Sequence, residues 1–229
     1  MISHELKTIF IHIPRTGGTS VETALVGNNW WKIQPETKHI DWQQAHQHYS
    51  EYWDQYLKFT IVRNPWDWLA SLYNSHDRGG NKSWEEYVRK PNLYPHEQKS
   101  LLQSEIIGHQ MDHILRYETL NEDFIRLCQA LGIKKSLPCV QLGESDYSHY
   151  SGLYTDEQQQ LISDLFKEDI DRFGFKFTSR EVAATQSYKR TLFLLNERVA
   201  ELEHELELLR QHPRRKISNF FKRKKNDQI

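Results

Sequence analysis

The sequence predicts an α/β fold with a central parallel sheet, because twice an apolar run rich in β-branched and aromatic residues delivers a short polar loop to a helix start. The first run is Thr8-Ile-Phe-Ile-His-Ile13, which ends at Pro14 and reads as a buried strand. The loop Pro14-Arg-Thr-Gly-Gly-Thr-Ser20 follows, and residues 21–26 continue as a helix with Thr19 or Ser20 offering a hydroxyl near its first turn. The second unit begins with the strand candidate 58–62 and passes through Arg63-Asn-Pro65 into a helix over 66–75, with Pro65 suited to the first helical position. Downstream, 113–117 reads as a third strand and 121–131 as a helix closed by Gly132. A further helix over 155–173 opens with Thr155, and Asp156 and Glu157 complement its dipole.

Composition places these elements in one folded domain with an appendage. The 229 residues are 38% hydrophobic and 12% aromatic, enough for a buried core, which excludes an intrinsically disordered chain. Residues 181–229 hold eleven Lys/Arg against seven Asp/Glu, a balance of +4, which leaves −5 for residues 1–180 out of the total of −1. In 181–212, Leu192, Leu195, Val199, Leu202, Leu206 and Leu209 repeat at 3,4,3,4,3 spacing, the narrow seam of a coiled-coil helix through which the chain is expected to form a homo-oligomer. Pro213 ends that helix. The basic tail 213–229 carries Ile217, Phe220 and Phe221 among its cations, a composition that suits peripheral contact with an anionic membrane or a solvated tail. No specific nucleic-acid motif is present.

The two cysteines, Cys128 and Cys139, form no CxxC and no ligand spacing, so neither a disulfide framework nor a metal site is indicated. The apolar stretch 8–13 is too short for a signal peptide or a membrane span, and the expected location is cytoplasmic.

The loop 14–20 has the chemistry of an anion cradle. Gly17 and Gly18 allow close backbone approach, Thr19 and Ser20 add hydroxyls, and Arg15 adds a charge with fork geometry at a helix N-terminus. A P-loop kinase would require lysine directly after the last glycine, but Thr19 follows Gly18. The second strand leads into Arg63, a residue for an anion and not for magnesium. Both features favour an anionic donor handled without metal.

These residues resemble the sulfotransferases that use 3′-phosphoadenosine-5′-phosphosulfate (PAPS), and in particular the carbohydrate branch. That branch's loop reads approximately H-I-P-K-T-G-G-T-S, against His12-Ile-Pro-Arg-Thr-Gly-Gly-Thr-Ser20 here. Its second signature is similar to V-R-N-P-W-D-R-x-x-S-x-Y, against Val62-Arg-Asn-Pro-Trp-Asp-Trp-Leu-Ala-Ser-Leu-Tyr73. The likeness spans approximately residues 7 to 177 and implies a P-loop-like three-layer fold, with residues 1–180 as the sulfotransferase domain. It further implies that Pro14, Arg15, Thr16, Gly17, Gly18, Thr19 and Ser20 bind the 5′-phosphosulfate. Arg63 and Ser71 would grip the 3′-phosphate, Tyr150 with its neighbours Ser148 and His149 would complete the pocket, and the product would be the 3′,5′-bisphosphate PAP. Arg15 stands where the family has lysine and would stabilise the leaving group without serving as an acid. Trp68 stands where it has arginine.

Transfer to a hydroxyl needs a general base, and histidine suits neutral pH. His39 lies where this branch places its histidine; His46, His48, Glu105 and Glu118 remain alternatives. The acceptor implied by the resemblance is a glycan or glycolipid, on whose rings Trp30, Trp31, Trp42, Trp53, Trp84 or Tyr94 could stack. A catalytically inactive nucleotide-binding scaffold with a coiled-coil partner module is the competing reading, and a kinase the third.

Overall fold

The computed structural model describes residues 1–75, 82–91, 100–138 and 149–179, together with positions 182, 199, 202, 203, 206 and 207. The chain divides into two units, Met1–Arg180 and Glu181–Ile229.

The first unit is mixed α/β, built on a sheet in the order β1 (Ile2–Ser3), β2 (Thr8–Ile11), β3 (Leu57–Val62), β4 (His113–Arg116). β2, β3 and β4 are parallel and aligned so that Phe10 faces Phe59 and Phe59 faces His113. β1 departs from the expected all-parallel sheet. It pairs antiparallel with β2 through Ile2 and Ile9, an edge too short to leave a periodic signature.

Strand alternation divides the core into two clusters, one on each face of the sheet. Ile9 and Ile11 pack with α2 (Trp42–His48), α3 (Pro65–Tyr73) and their neighbours, where Trp68 is fully buried. Phe10, Phe59 and Ile61 pack instead with Val21 and Leu25 of α1 (Gly18–Val26), together with Phe124 and Leu127. Full burial of such side chains is worth roughly 1.5–3 kcal/mol each, so both helical layers are held by their own apolar faces.

Local chemistry sets the helix starts. Asn64 accepts the amide of Trp66 at 3.2 Å and Pro65 takes the first helical position of α3, as the sequence leads one to expect. Capping boxes open α2 with Asp41 and Gln44, and α4 (Trp84–Arg89) with Ser83 and Glu86. α5 (Gln103–Ile107) precedes β4, and α6 (Leu120–Ala130) follows it one residue earlier than expected. The span 155–173 is two helices, α7 (Asp156–Leu165) and α8 (Lys167–Phe173), and not the single one expected. They part at Phe166, whose backbone leaves the helical region at φ −105° and ψ 23° while its ring is buried against Trp68.

In the second unit the described positions are helical, and Val199, Leu202 and Leu206 are 52%, 42% and 53% exposed. Leu192, Leu195, Leu209 and the basic stretch 213–229 lie outside the described residues. Among the described residues, no helix is long and apolar enough to cross a membrane.

Candidate functional site

The loop 14–20 leaves the C-terminal end of β2 and enters α1 one turn earlier than expected. Gly17 caps the helix in the left-handed region at φ 84°, and neither Thr19 nor Ser20 caps it. Thr16 is buried and ties its hydroxyl to the carbonyl of Ile13 at 2.7 Å, so it braces the loop. Pro14 is held the same way, its carbonyl accepting the Trp68 indole N–H at 2.7 Å. Trp68 thus supports the loop from within the core. At Gly18 a Cβ would lie 2.3 Å from Nε2 of His12, so only glycine lets the backbone pass over that ring.

Arg15 joins the two motifs. Its backbone is left-handed at φ 63°, its Nε donates to the Ser71 hydroxyl at 3.1 Å, and its carbonyl accepts Nη1 of Arg63 at 2.7 Å. The nine-residue helix α3 carries Ser71 back towards the loop, so Arg15, Arg63 and Ser71 converge although they span 56 positions. Arg63 is nearly buried, with its guanidinium paired to Asp67 at 2.7 Å and stacked 3.9 Å above the Tyr117 ring. Its main chain is clamped by Gln103, whose amide accepts the Arg63 N–H at 2.9 Å and donates to the Arg63 carbonyl at 2.7 Å. Gln103 is itself set by Asp169 of α8, whose carboxylate takes the backbone N–H groups of Gln103 and Ser104 at 2.8 and 2.7 Å.

His39 is buried beside His12, two residues before the same loop. Its Nδ1 lies 3.1 Å from the backbone carbonyl of His12, a group that only accepts, so Nδ1 carries the proton and Nε2 the lone pair. The His12 ring stands edge-on to it at 4.5 Å, and Trp31, 45% exposed, approaches it at 5.5 Å. Burial pushes the His39 pKa down to about 2, helped by charge at His12 and Lys38. The unfolded chain takes up a proton near the ordinary value of 6.5 that the native imidazole refuses. This contribution to stability is therefore complete above pH 6.5 and is lost progressively as pH falls towards 2. Thermal unfolding midpoints are expected to fall between about pH 7.5 and 5.5, less steeply in His39→Gln, as read by calorimetry.

Beside His39 lies a buried ionic network that the sequence reading did not single out. Glu22 accepts Nδ1–H of His12 at 2.6 Å, Nζ of Lys38 at 2.7 Å and the backbone N–H of Trp30 at 3.1 Å. Lys38 also donates to Asn29 and lies 3.5 Å from the Thr19 hydroxyl. Burial opposes the Glu22 charge, but these partners hold its pKa down at about 2. One signal was available: Gly18, Val21, Glu22 and Leu25 form the buried stripe of α1, so a carboxylate occupies an apolar position.

The alternative bases sit elsewhere. His46 and His48 are exposed on α2, with His46 packed against Trp53 at 5.1 Å. Glu105 lines a cleft of about 380 Å³ with Asp41 and Trp42. Glu118 caps α3 by accepting the Asn64 amide, and burial raises its pKa. Tyr150 is buried, its phenol oxygen accepting the Thr178 N–H at 2.8 Å; the charges of Asp67 and Glu118 add to burial in raising its pKa. Of the aromatic candidates, Trp30 and Trp53 belong to the core and Tyr94 lies outside the described residues, as do Ser148 and Cys139.

Comparison with known proteins agrees with this geometry at the level of family. A search of curated proteins returns no match. The profile described as "Sulfotransferase family" matches residues 1–176, which covers both loops, α3, the His39 segment and the Gln103–Asp169 clamp. The chain belongs to the sulfotransferase family.

Proposed function

We propose that the chain moves a sulfuryl group from PAPS to a hydroxyl of a glycan or glycolipid, in line and without metal, with His39 as general base. The observation that carries this reading is the meeting of Arg15, Arg63 and Ser71 at the loop that passes over His12, whose main-chain carbonyl takes the His39 Nδ1–H. The guanidinium of Arg63 and the hydroxyl of Ser71 suit the 3′-phosphate, which distinguishes PAPS from ordinary adenine nucleotides, and Arg15 at their junction suits the 5′-phosphosulfate. PAPS would supply an activated sulfuryl group.

His39 then accepts the acceptor's proton on Nε2 while the new oxygen–sulfur bond forms and the bond to the departing phosphate breaks. The low pKa of the imidazole keeps it unprotonated at neutral pH, with its Nε2 lone pair available to a proton. Backbone N–H groups of loop 14–20 and Arg15 stabilise charge on the leaving phosphate oxygen, with Thr19 and Ser20 adding hydroxyl donors. Trp31, exposed beside His39, offers a face for a sugar ring. Tyr150 completes the nucleotide pocket from the α3 side.

The test is transfer of labelled sulfate from PAPS to desulfated chondroitin, desulfated heparan and galactosylceramide. Turnover that survives chelation supports the proposal. Tight PAP binding without turnover on a broad panel favours an inactive nucleotide-binding scaffold, and dependence on ATP and magnesium favours a kinase.

Self-association through residues 181–212 is part of the same proposal, supported by the 3,4,3,4,3 seam and by the exposure of Val199, Leu202 and Leu206. Sedimentation velocity is expected to show an oligomer for the full chain and a monomer for L202D/L206D. The tail 213–229 is proposed to touch anionic membranes peripherally, which flotation with phosphatidylserine vesicles tests, and the domain to work in the cytoplasm.

A further inference from the structure

Three acceptor-independent features of the site remain without a role in the reaction as proposed: the imidazole of His12, the carboxylate of Glu22 and the ammonium of Lys38. All three are at most 3% exposed. A charge this deep is kept only when partners compensate its desolvation, so what it holds in place is the informative question. We infer that Glu22 is a positioning residue for His39, fixing the imidazole from two sides through His12 and Lys38. The inference rests on the proposed role of His39 as base.

The first arm runs through His12. One carboxylate oxygen of Glu22 takes the His12 Nδ1–H at 2.6 Å, which sets the tautomer and the plane of that ring. The ring fills the space under Gly18 and meets the His39 ring edge-on at 4.5 Å. The carbonyl of the same residue receives Nδ1–H of His39 at 3.1 Å. Side chain and main chain of His12 therefore act on His39 together: the carbonyl selects the tautomer, and the ring edge prevents the imidazole from turning over.

The second arm runs through Lys38, whose ammonium is held by the other carboxylate oxygen at 2.7 Å and by Asn29. Lys38 directly precedes His39, so this anchor fixes the backbone from which the imidazole projects. It also reaches the Thr19 hydroxyl at 3.5 Å, which couples the anchor to the phosphate loop. Glu22 lies on α1, the helix that the loop opens, so loop and base are registered to one another by a single carboxylate. Preorganisation of this kind matters because small misplacements of a reacting group cost large factors in rate.

The test reads His39 directly, by ¹⁵N–¹H correlation spectra of the imidazoles at neutral pH. In the unaltered protein His39 is expected as a single tautomer with the proton on Nδ1. In Glu22→Gln that single species is expected to be lost to a mixture of both tautomers. A His39 proton on Nε2 in the unaltered protein overturns the inference, even if the variant fails to fold. So does a Glu22→Gln protein that folds and keeps His39 wholly as the Nδ1–H form. Normal transfer by His39→Ala would instead remove the base reading and leave the tautomer result standing.

Discussion

His39→Ala is expected to lower kcat roughly 10²- to 10⁴-fold, the range over which a positioned general base contributes. The side chain is 7% exposed and bonded to the main chain of His12, whereas the proposed phosphate groups are braced separately by Thr16 and Trp68, so its loss deletes the proposed proton acceptor alone. Affinity for PAP should accordingly change little, and single-turnover measurements should place the defect in the chemical step. His46→Ala and His48→Ala serve as controls: both side chains are exposed on α2, and both variants are expected to transfer normally. A His39→Ala enzyme as active as the parent would remove the base from this position.

The second large effect is on binding. Arg63→Ala is expected to weaken PAP by about 10²-fold or more, as measured by calorimetric titration. Two losses combine there. The guanidinium that would meet the phosphate is gone, and the Asp67 carboxylate that it neutralises at 2.7 Å is left as an unpaired negative charge beside the same phosphate. Arg63→Lys keeps the charge but cannot span Asp67, the Arg15 carbonyl and the Tyr117 face at once, so it should recover only part of the affinity. Ser71→Ala, which removes one hydroxyl and its bond to Arg15, is expected to cost about tenfold. Unchanged affinity in both Arg63→Ala and Ser71→Ala would sink the assignment of the 3′-phosphate.

Much of this site could be read in the sequence because its parts are local. A β-branched run, two glycines and a helix lie within twenty residues, and each imposes its conformation through short-range sterics and hydrogen bonds. The Asn64-Pro65 helix start is local in the same sense. What the sequence could not convey depends on distant partners. Ser71 meets Arg15 and not Arg63 directly, because the reach of a guanidinium across the loop is decided only when α3 packs. Trp68 looks like a lost arginine in the motif, and its role as a loop brace exists only through a carbonyl 54 residues away. The break at Phe166 is equally hidden, since the apolar pattern continues through it while tertiary packing turns the chain. Glu22 left a trace, but its meaning depends on His12 and Lys38 arriving from either side.

The clamp on Arg63 ties the end of β3 to α8, close to the end of the first unit. Gln103 copies with its side-chain amide the two hydrogen bonds that a neighbouring strand would give, and so prolongs β3 by one residue into the proposed nucleotide site. Asp169 holds that copy in place from α8, and Asn64 is pinned to the carbonyl of Lys176 at 2.8 Å. Two polypeptides divided between α7 and α8 would thus each lack half of the fixture for one arginine. Mixed together, they could recover nucleotide binding only by reassembling, which makes the α7–α8 junction a natural place to split the protein into a conditional enzyme.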